Sequence, residues 1–173
     1  MTSFNDVVKW RRMFHQYPEL SKYEYKTTQR IKDILTSYNI KMIDIPMETG
    51  LVAEIGQGEK CIAVRTDIDA LPIQEQVSQD FTSTNDGVMH ACGHDIHMAS
   101  ILAIATKLKE EEEQLNGRVR FLFQPAEELG YGAKAMAKTN ALDDVQAIVG
   151  FHNYPTLDIG EFAIKSGPIT SAV

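Results

Sequence analysis

Val119-Arg120-Phe121-Leu122-Phe123 runs directly into Gln124-Pro125-Ala126-Glu127-Glu128-Leu129-Gly130, and this junction decides the fold. The first five residues, rich in aromatic and aliphatic side chains, read as a strand, and Pro125 and Gly130 punctuate the turn that follows. Glu127 and Glu128 therefore stand at the carboxyl end of a strand, where open α/β sheets gather their ligands. Paired glutamates are also common on ordinary surfaces, so their significance depends on what other strand ends supply.

Upstream of this junction, Met98, Ile101, Leu102, Ile104, Ala105 and Leu108 recur at helical spacing, with Asp95 placed to cap the start. Glu110 to Glu113 read as the solvated end of that helix, stopped by Asn116-Gly117. Further back, the strand Cys61-Ile62-Ala63-Val64 enters Arg65-Thr66-Asp67-Ile68-Asp69-Ala70-Leu71-Pro72. Asp67 and Asp69 are candidate site residues there, and ion pairing with Arg65 is the competing explanation. Lys41 to Ile45 and Leu51 to Ile55 are further short β-runs, separated by Gly50. Two amphipathic helices come first: one after the N-cap Ser3, ended by Pro18, and one from Tyr25 to Tyr38 with Asn39 as C-cap.

Downstream, a short helix over Ala133 to Lys138 leads to Val145-Gln146-Ala147-Ile148-Val149-Gly150-Phe151, a buried-type strand ending in His152. A β-run from Glu161 to Ile164 precedes Ser166-Gly167-Pro168. Strands alternating with helices argue an α/β class with a mainly parallel sheet flanked by helices.

With 173 residues, 43% of them apolar, the chain suits one domain with a real core. A net charge of -7 without a basic cluster argues against nucleic acid as a partner. The N-terminus lacks a basic leader, and no apolar run approaches the roughly 20 residues of a membrane span, so a cytoplasmic protein without a membrane partner is expected. Cys61 and Cys92 are the only cysteines, too few for a disulfide framework, and Cys61 belongs in the core.

Met89-His90-Ala91-Cys92-Gly93-His94-Asp95-Ile96-His97 concentrates one thiol, three imidazoles and a carboxylate. Thiolate and neutral imidazole are the donors a borderline-soft divalent ion binds best, and Cys92 and His94 converge only on a bent backbone, which Gly93 permits. A parallel sheet would set this stretch beside the other strand ends. Cys92, His94, Glu128 and His152 then offer ligands to one four-coordinate ion or, with fewer donors each, to two, leaving Glu127 free. A free carboxylate beside an ion-activated water is what hydrolysis of an amide requires. Two other readings compete: a thiol hydrolase with Cys92 as nucleophile and His94 or His152 as base, and a metal-binding module without activity.

Five stretches together resemble the M20 metallopeptidases. They are Arg11-Arg12-Met13-Phe14-His15 with Pro18-Glu19-Leu20, then Arg65 to Pro72, His90 to Asp95, Phe123 to Glu128, and Gly150-Phe151-His152. In this order they are similar to the N-acyl-amino-acid amidohydrolase branch, which includes hippurate hydrolases, auxin-conjugate hydrolases and N-acetyldiaminopimelate deacetylases. The resemblance covers nearly the whole chain. It implies a zinc-peptidase-like catalytic domain hydrolysing the amide bond of N-acyl amino acids; a dipeptidase or carboxypeptidase acting on short peptides is the alternative. It further implies two divalent ions held by Cys92, His94, Glu128 and His152, with Glu127 as general base. Asp67 would then act behind the ligands, since relatives outside this branch carry His and Asp where Arg65 and Asp67 stand. Thiolate favours zinc, while a carboxylate-rich site also admits manganese, cobalt or nickel. Such enzymes insert a lid domain and take a last metal-binding His from beyond position 173. The expectation is therefore that residues 1–173 are the N-terminal portion of the catalytic domain, inactive alone, with exposed apolar surface and homo-oligomerisation to follow.

Overall fold

The computed structural model describes residues 2–164 and 166. Helices α1 (Phe4–Gln16) and α2 (Tyr25–Ser37) precede strands β1 (Lys41–Ile43), β2 (Leu51–Gly56) and β3 (Cys61–Asp67). Helix α3 (His94–Glu110), β4 (Arg118–Gln124), the short α4 (Gly132–Met136) and β5 (Ala147–Gly150) follow. The strands form one sheet in the order β1-β2-β4-β3-β5. β1 and β4 both run antiparallel to β2, whereas β3 is parallel to both β4 and β5. The α/β architecture with flanking helices is as expected; the sheet is mixed, parallel only on the half that carries the site.

Residue-by-residue alternation along β4 divides the core into two layers. Val119, Phe121 and Phe123 join Phe14, Ile31, Leu35, Met98, Ile101 and Leu102 beneath α1, α2 and α3, while Leu122 joins Val52, Ala63, Met136 and Ala141 on the opposite face. Arg120 also points to that second face and is buried, held by Glu54 at 2.7 Å and by the carbonyls of Ala141 and Asp143. Cys61 is fully buried, as expected of a core residue.

Ser3 caps α1 through a reciprocal pair with Asp6, and Asn39 turns the chain out of α2 at a positive φ of 55°. Three expectations are corrected. Asp95 is not the cap of α3: Gly93, left-handed at φ 84°, occupies that position, and the Asp95 carboxylate points back to Arg11 and His15. β5 is exposed along its whole length, not buried, because among the described residues it is the edge of the sheet and pairs with β3 alone. Glu161 to Ile164 form no strand; Ile159, Phe162 and Ile164 are almost wholly exposed, and no strand among the described residues pairs with them. Gly167 and Pro168 lie outside the described residues. Exposed apolar side chains do accumulate at this edge, among them Ile62, Ile148, Val149 and Phe151.

Candidate metal centre

Parallel pairing puts the ends of β3, β4 and β5 side by side, with Asp67 opposite Gln124 and Arg65 opposite Gly150. The residues just past these ends, and the turn before α3, converge on one rim. Gly93 makes the convergence possible. Its left-handed backbone turns Cys92 and His94 toward the same point, and a side chain there would strike Asn153 within 2.4 Å.

Ligand-type atoms of Cys92, His94 and His152 lie within 4.8 Å of one another, and so do those of His94, Glu127 and Glu128. Cys92 Sγ is 3.3 Å from His152 Nε2, and His94 Nε2 is 3.7 Å from Glu128 Oε1 and 3.9 Å from Glu127 Oε2. His94 belongs to both groups and links them. All five residues singled out around the strand ends thus meet at one place.

The tautomers follow from the partners. His94 Nδ1 lies 2.9 Å from the carbonyl of Asp69, which can only accept, so Nδ1 carries a proton and Nε2 is the ring nitrogen turned toward the carboxylates. His152 Nδ1 likewise donates to the Asn153 carbonyl at 2.7 Å, leaving Nε2 free toward Cys92. His94 Nε2 and Glu128 Oε1 are buried without a hydrogen-bond partner. Two buried ligand-type atoms facing one another without a hydrogen bond are costly, and with neutral imidazole and carboxylate as donors the set fits a divalent ion.

Electrostatics agree. Burial pushes the Cys92 thiol up, and the Glu128 carboxylate pushes it further, to about 12. A thiol held neutral in this way is a poor nucleophile, which weighs against the thiol-hydrolase reading, whereas a cation would draw out the thiolate. Burial raises the Glu127 carboxyl above its ordinary value, His94 opposing and Asp67 and Glu128 adding to the shift. Asp67 is buried, which opposes its ionisation, yet the His97 hydrogen bond, the nearby His94 ring and the Arg65 guanidinium bring it down to about 2.

Asp67 stands behind the rim. Its Oδ1 accepts from His97 Nδ1 at 2.7 Å and its Oδ2 from Arg65 Nη1 at 2.8 Å, so the ion pair with Arg65 weighed for it is present. His97 Nε2 in turn accepts from the Asn153 backbone N–H at 3.0 Å, tying α3 to the loop that carries His152. Sequence reasoning assigned no role to His97 or Asn153. The i, i+3 spacing from His94 could have flagged His97 as sharing a helix face; nothing local marks Asn153, whose contact depends on where β5 lies.

A family model described as peptidase family M20/M25/M40 matches residues 63–170. The chain belongs to this family. Among M20 proteins it is 46% identical over 170 residues to an N-acetylcysteine deacetylase of Bacillus subtilis strain 168, a match spanning 96% of this chain and 45% of that protein. An N-acetyl-L-cysteine deacetylase of the same strain is 46% identical over 165 residues, spanning 94% of this chain and 40% of the other. The crystal structure of the Bacillus subtilis YXEP protein, a dinuclear metal-binding peptidase of the M20 family, superposes with a TM-score of 0.92 at 46% identity, covering 95% of this chain and 46% of that one. The chain thus spans less than half the length of the curated M20 relatives it matches. Among the described residues no helix is long and apolar enough to cross a membrane.

Proposed function

We propose that this chain supplies the ion-binding and proton-transferring part of an M20 hydrolase that cleaves the amide bond of N-acyl amino acids. Cys92, His94, Glu128 and His152 are its ligands for two divalent ions, zinc or manganese, with cobalt or nickel also accommodated. The observation that carries this reading is the pair of buried, unpartnered acceptors, His94 Nε2 and Glu128 Oε1, beside the Cys92–His152 contact. Bound there, divalent ions would polarise an acyl carbonyl and lower the pKa of a water to about 7.

Glu127 is the general base. Its carboxyl is the most exposed of the cluster's acids, within 4 Å of His94 Nε2, and its raised affinity for protons suits it to take one from the attacking water and return it to the leaving nitrogen. Asp67 does not ligate; its two oxygens orient His97 and Arg65. N-acetylcysteine deacetylase relatives support an N-acyl amino acid as substrate. Four ligand side chains leave two ions short of a full set, which supports reading residues 1–173 as the N-terminal portion of the catalytic domain, with a further ligand contributed from outside it and no turnover by this portion alone. Two unpaired cysteines favour a reducing, cytoplasmic setting, and the apolar side chains exposed along β5 favour association with a second copy.

The test uses the full-length protein. Elemental analysis should find two divalent ions per chain, and Glu127→Gln should lower turnover of N-acetyl amino acids about 10²–10⁴-fold while metal content stays. Retained turnover in Glu127→Gln, or activity that survives exhaustive chelation, would overturn the reading.

A further inference from the structure

The turn that carries Glu127 and Glu128 holds a strained backbone. Ala126, just ahead of Glu127, has φ +48°, in the left-handed region that a residue with a Cβ adopts only under constraint. It is almost fully buried, so no solvent compensates its polar groups. Something must hold it there.

Its carbonyl accepts from Gly132 N–H at 3.1 Å and from Tyr131 N–H at 3.3 Å, which closes the turn from one side. Pro125 is wedged between two glycines: a Cβ on Gly50 would fall 2.5 Å from its Cδ, and one on Gly132 would fall 1.5 Å from its carbonyl oxygen. The remaining group, the Ala126 N–H, donates to Glu24 Oε1 at 2.7 Å across 102 positions of sequence. Glu24 occupies the N-cap of α2, where a carboxylate ordinarily turns to its own helix; here the side chain makes no cap bond and reaches the Ala126 amide. The residue is completely buried, an expensive place for a carboxyl group that did nothing. Three residues earlier Ser21 Oγ donates to Asp69 Oδ2 at 2.7 Å, and the same oxygen accepts the Glu128 N–H at 3.0 Å. The segment between α1 and α2 therefore grips both ends of the Ala126–Glu128 peptide run from behind.

We propose that Glu24 is a positioning residue for hydrolysis: by accepting the Ala126 N–H it keeps the turn left-handed and sets the directions in which Glu127 and Glu128 leave the backbone. This rests on the reading of Glu127 as base and Glu128 as ligand. Without the bond, Ala126 relaxes toward ordinary φ, the following peptide rotates, and the two carboxylates leave the positions that face His94.

The test compares Glu24→Ala, Glu24→Gln, Ala126→Gly and the double variant Glu24→Ala/Ala126→Gly in the full-length protein. The measurements are kcat and KM on N-acetyl amino acids, zinc affinity by equilibrium dialysis, and hydrogen exchange of the Ala126 amide. Glu24→Ala should lower kcat about 10–100-fold with KM little changed, the scale of a small displacement at the reacting groups. Zinc binding should weaken about tenfold through Glu128, and the Ala126 amide should exchange faster. Glu24→Gln keeps a carbonyl acceptor of the same reach, so it should stay within about threefold of wild type on every readout. Glycine adopts positive φ without support, so the double variant should recover part of the loss, and it remains informative where Glu24→Ala alone folds poorly.

Glu24→Ala with wild-type kcat and zinc affinity would overturn the proposal, as would Glu24→Gln as impaired as Glu24→Ala, or a double variant no better than the single one. Failure of the underlying reading looks different. There Glu127→Gln retains turnover and Glu128→Gln retains zinc affinity, while the faster Ala126 exchange in Glu24→Ala still reports whether Glu24 holds the turn.

Discussion

His94 and Asp95 are neighbours at the start of α3, both buried, and they face opposite fates. His94 points to the strand ends, where its Nε2 and Glu128 Oε1 have no hydrogen-bond partner. Asp95 points to the other side, where it accepts from Arg11 Nε at 2.9 Å and His15 Nδ1 at 2.8 Å, and His15 Nε2 continues to Glu75 at 3.0 Å. Glu75 is bonded in turn to the Ser83 N–H at 2.7 Å. Both clusters are rich in histidine and carboxylate, and composition alone does not separate them. Saturation does. A cluster whose donors and acceptors cancel fixes the loop after β3 against α1, whereas one with lone pairs left over waits for something positive.

The largest expected effect lies on the saturated side. Asp95→Ala would leave Arg11 and His15 facing each other with Glu75 as the remaining anion, and should cost about 3–5 kcal/mol of folding stability in denaturant unfolding. If unfolding free energy falls by less than about 1 kcal/mol, the cluster is not the structural tie described here. Next in size is the effect of ions on the unsaturated side. Zinc at a hundred times its dissociation constant should stabilise the full-length protein by about 2.7 kcal/mol per site, chelation should reverse this, and Cys92→Ala should abolish most of it. An Asp95 variant should respond to zinc like wild type once its lower starting stability is subtracted, and equal loss of the zinc response in both variants would collapse the distinction.

This contrast also marks how much could be read from the chain. The helices that position the site were legible from periodicity and the strands from apolar runs between turn residues; Cys92 and His94 stood out as a thiol and an imidazole crowded into one bent stretch, and Glu127, Glu128 and His152 because they stand just past strand ends. Strand direction was not legible: nothing in Lys41 to Ile45 or Leu51 to Ile55 distinguishes antiparallel from parallel neighbours, so the mixed sheet emerged only with the register. β5 misled because Ala147, Ile148 and Val149 are apolar enough for a central strand, and apolarity does not tell whether another strand lies alongside. Asp95 misled for a related reason. Beside a helix start an aspartate reads as a cap, and its true partners are about 80 positions away.

A smaller effect, one proton on one ring, follows from pH. The hydrogen bond to Asp95 raises the His15 pKa above 6.5, with burial opposing and Glu75 assisting. The folded state thus binds this proton more tightly than the unfolded state does, so stability falls with rising pH wherever His15 is protonated folded and neutral unfolded. Its contribution is complete below about 6.5 and is lost as pH climbs through the raised value. His15→Gln should remove this alkaline loss while leaving stability on the acid side limited by Asp95 and Glu75, whose carboxyls sit below their ordinary values against the pull of burial. Unfolding midpoints measured from pH 5 to 9 decide it: an unchanged slope in His15→Gln would mean the imidazolium is not what the two carboxylates hold.

The smallest expected change is the one in which the two sides respond with opposite signs. Glu128 Oε1 is buried without a hydrogen bond and lies in one group with Glu127, so in the ion-free protein its charge opposes that of Glu127, with His94 Nε2 3.7 Å away. Glu128→Gln removes that charge at constant shape. It should leave ion-free stability unchanged or raise it by up to about 1 kcal/mol, the usual sign when a functional group held against its own solvation is neutralised. The same change should weaken zinc binding, because an amide oxygen is a poorer ligand than a carboxylate. Glu75→Gln, the matching neutralisation in the saturated cluster, should destabilise instead, because there the charge has partners to lose. If both substitutions destabilise the ion-free protein equally, Glu128 is a structural acid like Glu75, and the leftover lone pairs at the strand ends do not mark a place built for a cation.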